Sequence, residues 1–217
     1  MPIKLYGVLP SPPVRAVLLC AKALGIEVEF VNVSLVDGEH LKEDFLKKNP
    51  QHTVPVIEDE DGFILSDSHA IMAYLVTKYG KDDSLYPAGD AKHRAIIDQR
   101  LHFDSSTLFS GGLAVCKPLI YKGIKPKQEQ IDALREAYGI LDTILAINKT
   151  QYVAGNTVSI ADFSIVTTVT SWECLLPNDK FPHIKAYVER MQKYPYYEVI
   201  VEGSNILKNL ILTKLEN

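Results

Sequence analysis

Cysteine is scarce in this chain. Cys20, Cys116 and Cys174 are far apart and odd in number. That usage argues against a disulfide framework and a zinc site, and it predicts a reducing compartment. Lys/Arg runs are missing as well, and the net charge is -4, so the basic footprint that nucleic acid requires is lacking. No apolar run approaches the roughly 20 residues of a membrane span. Met1-Pro2-Ile3-Lys4 leads directly into a strand-like segment with no secretory leader. These absences predict a cytoplasmic protein with no nucleic acid or membrane partner and no metal. Internal repeats and low-complexity tracts are also absent. What is present is an ordinary globular mixture, 47% hydrophobic and 23% charged, long enough for one large domain or two small ones.

The first eighty residues alternate strand and helix patterns. Ile3 to Tyr6 alternates apolar and polar side chains as a short strand does. Ser11-Pro12-Pro13 then opens a helix: proline suits the first turn, Ser11 suits the cap, and Gly25 ends it. Val28 to Val33 reads as a strand and Leu41 to Lys48 as a short helix. Val54 to Glu58 and Phe63 to Leu65 form a hairpin around the acidic turn Asp59-Glu60-Asp61-Gly62. Ala70 to Tyr79 is a third helix. The order β-α-β-α-β-β-α describes an independent α/β unit.

The unit is organised around Asn49-Pro50-Gln51-His52-Thr53-Val54-Pro55-Val56 and Ser66-Asp67-Ser68-His69. Pro55 stands where a strand begins, and Val54-Pro55 is a candidate cis peptide. A chain bent there leaves the N–H and C=O of Val54 open to an extended ligand. Asp67 and Ser68 fall at a helix N-terminus, where N–H donors converge on carboxylates. Together the two segments suit the two ends of a small peptide-like molecule.

Composition shifts at Lys81 to Asp90, a polar, turn-rich linker. Beyond it no strand pattern appears. Helical spacing runs from Ala91 to about Tyr121 and from Gln128 to Ile147. Ser159-Ile160-Ala161-Asp162 is a capping box before an apolar run that reaches Trp172, and Phe181-Pro182 and Pro195 delimit two more helices. The boundaries expected are an α/β domain over residues 1–81 and an all-helical domain over 91–217.

Four segments carry a resemblance that covers essentially the whole chain. They are Ser11-Pro12-Pro13-Val14-Arg15-Ala16, Asn49 to Pro55, Ser66 to Ile71, and Ser159 to Phe163. In this order and spacing they resemble a cytosolic glutathione transferase of the insect delta/epsilon type, most like the epsilon class. The resemblance implies a thioredoxin-like N-terminal domain that binds glutathione and an all-helical C-terminal domain that shapes an acceptor pocket. It further implies a homodimer, glutathione as cosubstrate, and conjugation of the glutathione thiolate to apolar electrophiles in detoxification, with peroxidase activity as an accompaniment. A non-catalytic carrier of apolar ligands on the same fold is the alternative.

Carried onto these residues, the resemblance makes Ser11 the thiolate stabiliser. A free thiol with a pKa of about 8.5 is mostly protonated at neutral pH, and a hydroxyl donor at a helix N-terminus lowers that value. The competing reading is that Ser11 only caps its helix; Tyr6, a rival hydroxyl, lies within a strand and is expected to pack. His40 and His52 are assigned to the glycine carboxylate of glutathione, and the backbone of Val54, between Thr53 and Pro55, to the cysteinyl unit. Asp67 is assigned to the γ-glutamyl ammonium and Ser68 to its carboxylate, with His69 beside them. Relatives often carry Glu at position 67 and sometimes Arg at 69. A bare helix cap is the plainer reading of Asp67-Ser68.

For the acceptor pocket the expected wall is Leu35, Phe109, Gly112, Leu113, Cys116, Ile120, Tyr121 and Leu207. Gly111-Gly112 reads either as a kink made for packing or as a small-residue wall that gives room to a bulky acceptor. The arginine that several epsilon-type relatives carry near Leu113 is missing, which weighs against anionic acceptors. Cys20 and Cys174 are expected to be inert.

Overall fold

The computed structural model describes residues 2–216. Alternation in Ile3–Gly7 (β1) buries Ile3, Leu5 and Gly7, and β1 becomes an inner strand of a four-stranded sheet. Val28–Asn32 (β2) pairs with β1 in parallel, Leu5 opposite Phe30. Val56–Glu58 (β3) pairs with it antiparallel, Leu5 opposite Ile57. Ile64–Ser66 (β4) closes the order β2-β1-β3-β4. The third strand therefore begins at Val56, two residues later than the pattern predicts, because Pro55 has no N–H for the ladder. The Val54-Pro55 peptide is cis.

Helix α1 (Pro12–Leu24) ends at Gly25, whose φ of 71° suits a residue without Cβ. A 3-10 turn, Glu39–Leu41, precedes α2 (Glu43–Lys48), and α3 (Ser68–Tyr79) follows β4. The acidic hairpin turn is more than a solvated loop. Asp59 is buried, and its carboxylate accepts hydrogen bonds from the hydroxyls of Tyr74 and Tyr79 and from Lys78 (2.8 Å), which fastens the hairpin to α3.

The second domain is helical throughout: α4 (Ala91–Phe103), α5 (Phe109–Lys122), α6 (Gln128–Asn148), α7 (Ile160–Ser171), α8 (Pro182–Met191) and α9 (Val201–Glu216). The single helix expected over residues 91–121 is continuous but carries a π-helical turn, Asp104–Leu108, in which the Phe109 N–H reaches the Asp104 carbonyl. That turn buries Asp104 and Leu108 together. Helix α7 is the central rod, buried along nearly all of its length. At its start Asp162 reaches back to the Ser159 N–H (2.8 Å) and also takes the Val153 N–H (3.0 Å).

The two domains meet where α1 packs on α7. Arg15 is fully buried there and donates to the Ser171 hydroxyl (2.5 Å). Gly203 of α9 lies so close to the Leu9 carbonyl that a Cβ would collide with it. Among the described residues no helix is long and apolar enough to cross a membrane.

Candidate functional site

The strand directions gather the expected site residues at one end of the sheet. Strand β1 runs through Tyr6, opposite Val56, and exits toward Ser11. Parallel β2 exits at the same end into the loop that carries Leu35 and His40. Antiparallel β3 enters from that end through His52, Thr53 and Val54. Strand β4 leaves there, with Ser66 opposite Val56, into Asp67 and Ser68. Ligands of open α/β sheets collect at such strand ends.

Ser11 occupies the cap position of α1, yet its side chain makes no capping hydrogen bond. The hydroxyl is therefore not consumed by the helix. Pro12 and Pro13 remove two of the N–H groups that a helix N-terminus ordinarily presents. The Ser11 hydroxyl is thus left available as a donor at this helix start. Tyr6 is no rival: its hydroxyl donates to Glu58 (2.7 Å), which also pairs with Lys48 (2.6 Å).

Val54 lies before the first laddered residue, Val56, so its backbone is outside the sheet register. The loop ahead of it is pinned by Asn49, which is buried and donates to the Thr53 carbonyl (2.9 Å) and hydroxyl (3.0 Å). Thr53 is accordingly held within the loop, and Pro55 is buried behind it. His52 adopts a φ of 47° and points its ring toward His40, with centroids 6.2 Å apart. Burial, with the charges of His52 and Lys117, keeps His40 below its ordinary pKa, which favours the uncharged imidazole at neutral pH.

Asp67 takes a φ of 75°, and its Oδ1 caps α3 by accepting from the N–H groups of His69 (3.0 Å) and Ala70 (3.1 Å). Its side chain remains exposed, while Ser68 is buried in the first turn. His69 is engaged elsewhere. Its Nε2 lies 2.8 Å from the Ser164 hydroxyl and 3.7 Å from Asp104 Oδ2, so the ring joins α3 to the helical domain and is not free for a ligand.

Helix α5 divides the acceptor residues. Leu113, Ile120 and Tyr121 share its outward face, with Leu113 and Tyr121 exposed and Ile120 half-buried, and Phe109 and Leu35 are half-buried. For Gly112, Cys116 and Leu207 the expectation of a pocket wall is corrected. Gly112 faces inward, where a Cβ would overlap the Trp172 indole; the glycine exists to admit that ring. Cys116 is buried on the same inward face, and desolvation pushes its thiol well above the ordinary range. Leu207 is buried in the core.

Sequence reasoning missed the contacts of Asn49 and Asp104. An Asx turn before a strand could have signalled Asn49, whose Oδ1 takes the Gln51 N–H (3.1 Å). Asp104 carries no local signal, because its partners Ser164 and Thr168 lie sixty residues and more along the chain.

Two family descriptions match the chain: the N-terminal domain of glutathione S-transferase over residues 5–83 and the C-terminal domain over residues 71–195. Glutathione S-transferase 1 of Manduca sexta is 40% identical over 99% of this chain and 100% of its own. An epsilon-class glutathione S-transferase from the housefly, Musca domestica, superimposes with a TM-score of 0.92 at 47% identity over 98% of each chain. A glutathione transferase homolog from Drosophila mojavensis, solved with bound glutathione, gives 0.93 at 41% identity, covering 98% of this chain and 97% of that one. With a thioredoxin-like sheet whose strand ends gather Ser11, Val54 and Asp67, followed by an all-helical domain, the chain belongs to the glutathione transferase family and is of the insect delta/epsilon type.

Proposed function

We propose that this protein conjugates the glutathione thiolate to apolar electrophilic small molecules. The observation that carries the reading is the convergence of four loops at one sheet end, with an uncommitted Ser11 hydroxyl among them. In this scheme Asp67 and Ser68 hold the γ-glutamyl end and Val54 pairs with the cysteinyl backbone. His40 and His52 take the glycyl carboxylate. Ser11 donates to the sulfur, which lowers the thiol pKa and supplies the nucleophile. The acceptor lies against Leu113, Ile120 and Tyr121 of α5, with Leu35 and Phe109 at its margins. The acting unit is a cytoplasmic homodimer with domains over 1–81 and 91–217. Exposed apolar side chains at Phe63, Ile64, Ile96 and Ile140 support such pairing. Reduction of hydroperoxides by the same thiolate is a second use of the site.

The test is a panel of apolar electrophiles and lipid hydroperoxides assayed with glutathione, beside ligand binding measured without it. Conjugation that saturates with glutathione is the expected result. Tight binding of apolar ligands with no turnover across the panel would replace the enzyme with a carrier.

A further inference from the structure

We propose that the helical domain positions the Ser11 hydroxyl, with Gly203 of α9 as the stop against which the turn before Ser11 is seated. The inference rests on the role given to Ser11 above and adds to it positioning residues from the second domain. Ser11 closes a turn: its N–H donates to the Val8 carbonyl (3.0 Å), and its own carbonyl accepts the Arg15 N–H (3.1 Å) as α1 begins. Leu9 and Pro10 are the two central residues of that turn. Gly203 meets it from the other domain. A Cβ there would lie 2.2 Å from the Leu9 carbonyl oxygen and 2.9 Å from Arg15 Cδ. The same Arg15 is fully buried, and its guanidinium donates to the Ser171 hydroxyl of α7 (2.5 Å), while Nε and Nη1 have no hydrogen-bond partner among the described residues. The turn and the first turn of α1 are thus held by α9 and α7 together.

Glycine is a poor choice for this place on conformational grounds. Gly203 lies in the first turn of α9 and is not among the glycines with positive φ, and in a helix alanine is favoured over glycine. What requires glycine is the approach of the Leu9 carbonyl. A methyl group at 2.2 Å overlaps that oxygen, and relief needs a shift of about 1 Å or more to reach ordinary contact. The turn cannot absorb such a shift internally. Pro10, Pro12 and Pro13 fix φ on both sides of Ser11. The end of β1 is pressed on α1 as well, where a Cβ at Gly7 would meet the Val14 methyls at 2.7 and 2.8 Å. Displacement of Leu9 therefore carries to Ser11. Because the Ser11 side chain makes no capping bond, its aim is set by where the turn is seated.

A double-mutant cycle between Gly203→Ala and Ser11→Ala tests the assignment. Three quantities are read: turnover with an apolar electrophile, the thiol pKa of bound glutathione by thiolate absorbance, and glutathione affinity by calorimetry. Gly203→Ala alone is expected to lower turnover about 10- to 100-fold, as a misplacement of about 1 Å does, and to raise the thiol pKa with glutathione affinity unchanged. In the Ser11→Ala background the same substitution is expected to cause no further loss, since residues that act through one another are not additive. Ser171→Ala, which removes a single hydroxyl from the Arg15 contact, is taken through the same cycle with a smaller loss in the same direction expected. It decides alone if Gly203→Ala does not fold. Equal losses with and without Ser11, or no change in turnover and thiol pKa, would overturn the inference and leave these contacts to packing. A matching loss of glutathione affinity would also overturn it, because the whole site would then be distorted. Ser11→Ala that by itself leaves turnover and thiol pKa at wild-type values would instead overturn the role of Ser11 on which the inference rests, and the inference with it.

Discussion

The Nε2 of His69 lies 2.8 Å from the hydroxyl of Ser164, and that hydroxyl in turn donates to Asp104 at 2.5 Å. A residue next to Ser68 is thereby tied to the central helix of the other domain. Both Ser164 and Asp104 are buried; Asp104 Oδ2 accepts from Ser164, and Oδ1 has no hydrogen-bond partner among the described residues. His69→Ala would leave this group further undersatisfied. We expect a loss of about 1–3 kcal/mol in unfolding free energy, the cost of a buried polar group deprived of its partner. Urea unfolding followed by fluorescence measures it, and an unchanged midpoint would show that water replaces the imidazole.

Ser11→Ala should lower turnover about 10²- to 10³-fold, as loss of one transition-state donor does, and raise the thiol pKa of bound glutathione. Glutathione affinity should change little. Because the Ser11 side chain makes no capping bond, the melting temperature should stay within a degree or so of wild type; losing a working cap costs about 1 kcal/mol. The thiolate absorbance titration and a thermal scan together separate the two roles. Full turnover with lowered stability would return Ser11 to the role of a cap.

Asp67 has two tasks that substitution can divide. Asparagine keeps an oxygen for the His69 and Ala70 N–H groups and tolerates the φ of 75°, but it carries no charge. Alanine loses both the cap and the favourable backbone. Asp67→Asn is therefore expected to raise the glutathione dissociation constant at least about tenfold with stability retained, since a charge-assisted contact contributes roughly 1.5–3 kcal/mol. Asp67→Ala should weaken binding similarly and also destabilise the fold by about 1–2 kcal/mol. Calorimetry giving wild-type affinity for the asparagine variant would sink the ammonium-pairing role.

Local chemistry made the α/β half legible. Ser11-Pro12-Pro13, Gly25 and the Val54-Pro55 peptide each declare a start, a stop or a bend, and the structure places them there. The capping box at Ser159 and Asp162 was equally plain, because both partners lie within four residues. What stayed hidden depends on contacts distant in sequence. Asp59 reads as one of three acids in a turn until Tyr74, Tyr79 and Lys78 close over it. Gly112 reads as space for a ligand until Trp172, sixty residues later, fills that space. The π turn at Asp104 is invisible to a periodicity that allows only 3.6 residues per turn.

Gly111 and Gly112 are adjacent and should respond oppositely to the same change. A Cβ at Gly111 would sit 3.8 Å from Leu134 Cδ1, an ordinary contact, so Gly111→Ala is expected to stabilise by up to about 1 kcal/mol through helix propensity. A Cβ at Gly112 would overlap the Trp172 indole. Gly112→Ala should therefore cost about 1–3 kcal/mol by overpacking, and Gly112→Arg more. Thermal unfolding of the pair decides. If the two variants melted alike, the inward orientation of Gly112 would be wrong and the pocket-wall reading would return.

Asp59 and Asp162 are both buried, and their environments push them in opposite directions. Burial alone raises the Asp59 carboxyl, but hydrogen bonds from Lys78, Tyr74 and Tyr79 outweigh it and hold the group far below its ordinary value. Burial raises Asp162 to about 6 against the pull of the Val153 and Ser159 N–H groups. The signs follow from which state binds more protons. For Asp59 the unfolded chain takes up its proton first as pH falls, so the stabilisation is complete above the unfolded value of about 3.9 and is lost below it. For Asp162 the native state keeps its proton longer, so its contribution to stability declines as pH rises from about 4 to 6. Asp59→Asn should accordingly cost about 2 kcal/mol at pH 6, the loss of one charged hydrogen-bond acceptor, with a deficit that shrinks as pH falls below about 3.9. Urea midpoints of wild type and variant across pH 3 to 6 measure this, and carbon-detected NMR follows the Asp162 carboxyl directly. A deficit of constant size across that range would show that the Asp59 charge is not what holds Tyr74 and Tyr79. An Asp162 midpoint near 4 would mean that water reaches the capping box.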